Sequence, residues 1–214
     1  ALPDDICSIR GIRYAVTSNG AAVYDIHTKE CLQQYKMTEQ SIEKILDYAK
    51  DLEVAFETFI DGKAYAQREY VEDPVSFGAS PRAISYIQTT REPVDDIRSF
   101  LMDHKKCIES VDVVVKEENL KKELWKTFEE NIPQVYVTSS VQQLLELSYE
   151  KSGKHSGIAY ILEHLGLSRD GLAAFGDGDN DAELLKYAGI GIAVENASKA
   201  CREAADVVTL SNDE

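Results

Sequence analysis

Apolar positions divide the chain into two textures. In the first, short β-branched runs alternate with turn residues and with helices that carry one apolar stripe. Ile12 to Thr17 form such a run after Gly11, Ser18-Asn19-Gly20 is a turn, and Ala21 to Asp25 form a second run, which predicts two short strands. On this pattern Asn19 is a hairpin residue. Cys31 to Lys36 predicts another strand, and Thr38 caps a helix whose apolar face is Ile42, Ile45, Leu46 and Ala49. Val54 to Ile60 and Lys63 to Arg68 flank Asp61-Gly62, a two-residue connection that predicts a tight hairpin. Tyr70 to Tyr86 shows no clear period. After Pro93, Ile97, Phe100, Leu101 and His104 mark a helix, and Val111, Val113, Val114 and Val115 mark a strand. Leu120, Leu124 and Phe128 mark a further helix that Pro133 ends, with Val135-Tyr136-Val137-Thr138 as the next strand.

The second texture starts at Gly153. A helix (Ile158, Ile161, Leu162, Leu165) precedes a short run, Leu172 to Phe175, and a helix from Ala182 to Ala188 closed by Gly189. Strand (Ile190 to Val194), helix (Ala197 to Ala205) and strand (Val207 to Leu210) follow. Strand alternating with helix predicts a parallel sheet covered on both faces. The expected fold class is therefore α/β, with residues 1–25 and 140–214 forming one core domain and residues 26–139 an inserted α+β unit.

Composition narrows the function classes. The chain has 214 residues, 43% hydrophobic, enough for a buried core. Its net charge of −15, from 38 acidic and 23 basic residues, argues against nucleic acid or an anionic membrane as partner. No run approaches the roughly 18 apolar residues of a membrane helix, and Ala1-Leu2-Pro3-Asp4-Asp5 is not a signal peptide. Cys7, Cys31, Cys107 and Cys201 have no CxxC or zinc spacing, which points to reduced thiols and a cytoplasmic location.

The densest chemistry lies in Gly176-Asp177-Gly178-Asp179-Asn180-Asp181, between the run ending at Phe175 and the helix from Ala182. Such a turn puts carboxylates at the carboxyl edge of a sheet, where α/β proteins bind ligands. Carboxylates so close repel one another unless a cation offsets them, so the loop is read as a hard-metal site, for Mg²⁺. Asp177, Asp179 and Asp181 share the first ligand spacings of an EF-hand, but Ala182 and Ala188 occupy the positions that need Gly and Glu. A calcium loop is excluded on both counts. Lys154, in Gly153-Lys154-His155-Ser156-Gly157 at a helix start, adds positive charge to an end that is already positive. A phosphate there, with Mg²⁺ at the acidic loop, is a layout for phosphoryl transfer. His104 at a helix end and Trp125 are assigned to packing.

Together with Thr17-Ser18-Asn19-Gly20-Ala21 and the trailing Gly191-Ile192-Ala193-Val194-Glu195-Asn196-Ala197 and Ala204-Ala205-Asp206-Val207-Val208-Thr209, these segments resemble the Cof-type, subclass IIB capped branch of the haloacid dehalogenase superfamily. The resemblance implies a Rossmann-like core, an inserted C2B-type cap, and Mg²⁺-dependent hydrolysis of phosphate monoesters through an aspartyl-phosphate intermediate. It implies that Lys154 and Asp181 are catalytic, that Asp177 and Asp181 hold the metal, and that Asn180 and Asn19 bind substrate. Asp179 falls at a variable position and is expected to face solvent or to help indirectly. The implied partner is a small phosphorylated metabolite, such as a sugar phosphate, nucleotide or cofactor.

One departure matters. The family's opening Asp-x-Asp-x-Thr, which supplies the nucleophile, occurs nowhere in these residues, and neither does the following phosphate-binding Thr or Ser strand. The expectation is a chain truncated at both ends, inactive alone, with apolar sheet surface left uncovered and able to associate as a homo-oligomer. Alternative readings are a phosphomutase or sugar-phosphate phosphatase on the same scaffold, and a catalytically dead relative that binds a ligand or protein partner.

Overall fold

The computed structural model describes residues 8–213, so Cys7 and the opening pentapeptide lie outside the described residues. Three sheets organise them. β1 (Tyr14–Thr17), β2 (Ala22–Asp25) and β3 (Glu30–Gln34) form an antiparallel sheet in that order. The β1–β2 hairpin turns through Ser18 and Asn19, both at positive φ near 48°, and through Gly20 at φ 90°.

The second sheet is the largest. Its strands are β4 (Ala55–Ile60), β5 (Lys63–Gln67), β6 (Arg91–Val94), β7 (Ser110–Val114), β8 (Val135–Thr138) and β9 (Leu144–Tyr149), in the order β6-β5-β4-β7-β9-β8. Asp61-Gly62 makes the predicted turn, with Ile60 opposite Lys63 and both turn residues at positive φ. Helices α1 (Glu39–Tyr48), α2 (Arg68–Glu72), α3 (Ile84–Thr90), α4 (Ile97–His104) and α5 (Glu118–Asn131) surround it. Thr38 Oγ1 accepts from the Ser41 amide and starts α1 as the sequence implies. Alternation along the strands sends Phe56, Val111, Val113, Leu145 and Leu147 to one face, against Ile42, Ile45, Leu101, Leu124 and Phe128 of the helices. Each such side chain contributes roughly 1.5–3 kcal/mol by burial. His104 stacks on Phe100 at the end of α4, and Trp125 packs against this core.

The third sheet is parallel: β10 (Ala173–Gly176), β11 (Ile190–Ala193) and β12 (Val207–Val208), joined by α7 (Ala182–Tyr187) and α8 (Lys199–Ala204), with α6 (Lys154–Leu165) preceding it. Ala174, Leu185, Ala193, Ala197 and Cys201 form its small core. Phe175 is 65% exposed, and Val207, Val208 and Leu210 are also exposed.

Two boundary expectations are corrected. The boundary placed at residue 139 falls inside the large sheet, because β9 pairs with both β7 and β8. The boundary placed after residue 25 separates β3 from β2, its only strand partner among the described residues. Tyr70 to Tyr86, which shows no clear period in sequence, holds part of α2, two 3-10 turns and the start of α3, and with Ile87 covers part of the sheet's second face through Tyr70, Val71 and Ala79. Ile12 to Thr17 and its hairpin partner pack on α6, with Val16 so close to Gly157 that a Cβ there would lie 2.5 Å from Val16 Cγ1. Among the described residues the thiols of Cys31, Cys107 and Cys201 are free, and no helix is long and apolar enough to cross a membrane.

That second face also carries an unusual row of acids. Glu57 on β4 lies directly opposite Asp112 on β7, and Asp112 directly opposite Glu146 on β9. Like charges in such positions repel. Arg91 answers part of this, its Nε 2.5 Å from Glu57 Oε2, with both side chains buried. Burial opposes the Arg91 charge, but the Glu57 carboxylate more than restores it, and the Arg91 pKa is raised. Burial pushes Asp112 well above the usual carboxylate range, and Glu146 and Glu57 push it further. Folding therefore favours protonated Asp112, so its contribution to stability falls as pH rises from its ordinary value of 3.8 through the raised one. Asp112→Asn is expected to raise the thermal midpoint, by an increment that grows as pH rises above the ordinary aspartate value of 3.8. An increment that shrinks with pH in a calorimetric series would show Asp112 to be ionised in the fold.

Glu109, just ahead of β7, ties this sheet to the first one. Its carboxylate accepts from Ser18 Oγ at 3.2 Å and from Gln34 Nε2 at 2.8 Å.

Candidate active site

β10 ends at Gly176 on the carboxyl edge of the parallel sheet, and the acidic segment turns back at once into α7. A Cβ on Gly176 would lie 2.4 Å from Asp181 Cβ, so the return is open only to glycine. Asp181 is 5% exposed and uses both carboxylate oxygens. Oδ2 accepts from the amides of Asp177 at 3.0 Å and Gly178 at 3.1 Å, and Oδ1 accepts from Lys154 Nζ at 2.5 Å.

Lys154 opens α6 behind Gly153, whose φ of 121° suits glycine. Its ammonium also donates to Asn180 Oδ1 at 3.2 Å, and Asn180 Nδ2 donates to Asn19 Oδ1 at 3.0 Å. Asn19 sits at the hairpin tip in the left-handed region, and its carbonyl accepts from the Gly153 amide at 2.7 Å. Three distant segments thus meet in one hydrogen-bonded chain: Asn19, Asn180, Lys154 and Asp181. Asp177 is exposed beside them, with Oδ2 accepting from Asn212 Nδ2 at 3.2 Å. Asp179 is exposed, as expected.

The repulsion that seemed to require a metal is met in part by protein groups, since Lys154 and two loop amides serve Asp181. Among the described residues no three His, Cys, Asp or Glu side chains are placed together to hold a metal. The donors present, two carboxylates and amide oxygens, are hard oxygens of the kind Mg²⁺ takes, and Asp177 is the carboxylate free to turn toward one.

Sequence reasoning did not find Ser139, Ser140 and Glu146. The Ser139 carbonyl accepts from the Asn180 amide at 3.3 Å, and Ser140 Oγ donates to Glu146 Oε1 at 3.0 Å. Burial raises the Glu146 pKa, although Asn19, Ser140 and Lys154 favour its charge. An acid between leucines, as in Leu145-Glu146-Leu147, was the available signal, and Val111-Asp112-Val113 repeats it.

The chain is similar to several known proteins. The chain is 47% identical over 62 residues to a phosphoglycolate phosphatase of Methanopyrus kandleri, covering 29% of this chain and 27% of that protein. It is 30% identical over 135 residues to the chloroplastic endoribonuclease YBEY of Arabidopsis thaliana, covering 56% of this chain and 23% of that protein. Both matches span well under two thirds of the relative's length. A solved haloacid dehalogenase-like hydrolase from B. subtilis superposes with a TM-score of 0.81 at 21% identity, over 98% of this chain and 80% of that one. The family model of the haloacid dehalogenase-like hydrolases matches residues 6–214, and the chain belongs to that family.

Proposed function

We propose that the protein is a Mg²⁺-dependent phosphatase acting on phosphate monoesters of small metabolites through an aspartyl-phosphate intermediate. The observation that carries this reading is the position of Lys154 Nζ, between Asp181 and Asn180 at the carboxyl edge of β10. A phosphoryl oxygen beside Lys154 would accept the ammonium N–H now donated to Asn180, while Asp181 keeps the lysine aligned. Asn19 and Asn180 orient that group from the hairpin side. Asp177 and Asp181 are the residues that would hold Mg²⁺, which supplies charge neutralisation of the phosphate oxygens when bound. In the attack a carboxylate–phosphorus bond forms as the bond to the leaving alcohol breaks, and water then releases phosphate. The attacking carboxylate has no candidate in the family's pattern among these 214 residues.

The test is phosphate release from p-nitrophenyl phosphate by the natural protein, with Mg²⁺ and with EDTA. EDTA is expected to abolish turnover, and Asp177→Ala to lower it by about a hundredfold or more. Turnover that survives EDTA would remove the metal from the reading. No turnover under any condition would replace it with binding of a phosphorylated ligand.

A further inference from the structure

Asp177 and Asp181 would share one metal, yet the fold supports them unequally. Asp181 is buried and takes three donors on its two oxygens. Asp177 is exposed, and an exposed carboxylate turns freely about its side-chain bonds unless something holds it. A ligand that has to stop that rotation binds less tightly. What holds Asp177 comes from two segments not used so far, the Val194-Glu195-Asn196-Ala197 run after β11 and the turn that follows β12.

The main chain is seated first. The Ser198 amide donates to the Asp177 carbonyl at 2.8 Å, and the Val194 amide donates to the Gly176 carbonyl at 3.2 Å. The connection from β11 to α8 thereby fixes the end of β10. The side chain is held from beyond β12, where Asn212 Nδ2 donates to Asp177 Oδ2 at 3.2 Å. Each carboxylate oxygen has two lone pairs, so Asn212 leaves room on Asp177 for a cation.

A carboxamide can present either its amino group or its oxygen, and the oxygen would repel Asp177. Asn196 decides between them. Its Nδ2 donates to Asn212 Oδ1 at 2.7 Å, and its Oδ1 accepts from the Asn212 amide at 3.3 Å. With its oxygen engaged there, Asn212 offers Asp177 the amino group alone. The neighbouring acid has other partners: Asp213 Oδ2 accepts from Asn196 Nδ2 at 3.3 Å, and Asp213 Oδ1 accepts from Arg82 Nη1 at 3.4 Å. The turn after β12 thus brings Asp177 a donor and keeps its own acid occupied.

We propose that Asn212 is a positioning residue for Mg²⁺ at Asp177, and that Asn196 acts through it. The proposal rests on the reading of Asp177 as a metal ligand and adds the pair that holds it. Loss of a hydrogen-bond partner behind a metal-binding side chain weakens metal binding by roughly ten- to a hundredfold. Asp177, Asn196 and Asn212 are all exposed, so water competes with these bonds and the effect belongs at the low end of that range.

The test is calorimetric titration of Mg²⁺ into the natural protein, Asn212→Ala, Asn196→Ala and the double variant, with no substrate present. Asn212→Ala is expected to weaken Mg²⁺ binding about tenfold, and Asn196→Ala to weaken it by less. The double variant should lose no more than Asn212→Ala alone, because the two residues act in series. Losses that add would overturn the relay. Equal Mg²⁺ affinity in the natural protein and Asn212→Ala would overturn the proposal and leave the metal reading standing. No Mg²⁺ binding by the natural protein would overturn both. Melting in EDTA separates positioning from support of the fold, and midpoints within about 2 °C of the natural protein's are expected. If Asn212→Ala melts well below that, Asn196→Ala, which leaves Asn212 in place, must still weaken Mg²⁺ with an unshifted midpoint. Otherwise the pair supports the fold and nothing more.

Discussion

Lys154→Ala in the natural protein is expected to lower kcat/KM for phosphate monoesters by roughly 10²–10³-fold while leaving the fold intact. The ammonium is the one cation that reaches both Asn180 and the buried carboxylate of Asp181 among the contacts of this site. A phosphoryl group placed there would lose its nearest compensating charge. The fold should survive, because Asp181 keeps two amide donors on Oδ2 and loses a partner only on Oδ1. Lys154 is also 34% exposed on its side chain, so water can reach the gap and soften the loss. Steady-state kinetics beside a thermal melt would separate the two effects. Activity within a few-fold of the parent would show that Lys154 is a structural partner of Asp181 and nothing more.

The largest expected effect on stability comes from a methyl group. Gly20 has φ 90°, and a Cβ there would lie 2.0 Å from the Gly153 carbonyl oxygen and 2.8 Å from its amide nitrogen. Those atoms are backbone, held by the bond from the Gly153 amide to the Asn19 carbonyl, and cannot step aside cheaply. Gly20→Ala is therefore expected to cost about 3 kcal/mol or more. Gly166→Ala is the matched comparison, with φ 65° and no atom within 4 Å of the added carbon. It should cost about 1 kcal/mol, the conformational part alone. Chemical denaturation of both variants gives the difference. Equal losses would mean that the hairpin tip and the start of α6 move apart easily, and the alignment of Asn19 with Asn180 would then lack a rigid support.

The sequence made most elements visible because their signals are local. Asp61-Gly62 needs only its own two dihedral pairs, and the Thr38 cap needs only the amide of Ser41. Lys154 and the acidic loop were legible for a different reason, since their residue types are costly where they stand unless they meet each other. What stayed hidden depends on register. Glu57, Asp112 and Glu146 each look like an isolated acid in an apolar strand, and nothing local says that β4, β7 and β9 lie side by side with these three in line. β6 was missed because Pro93 argues against a strand, and the structure places it on a sheet edge where a missing amide is tolerated. The role of Asn19 was half legible: Asn19-Gly20 marks a turn, and only the fold shows the turn pressed against Gly153.

Glu109 gives the two halves of the molecule a latch. Swinging the large sheet away from the hairpin must break the Ser18 and Gln34 bonds to one buried carboxylate. At about 1.5 kcal/mol for each, the low end for a charged acceptor, these two bonds contribute about 3 kcal/mol to holding the sheet against the hairpin. Any motion that parts the sheet from the hairpin therefore has to release Glu109 from both partners at once.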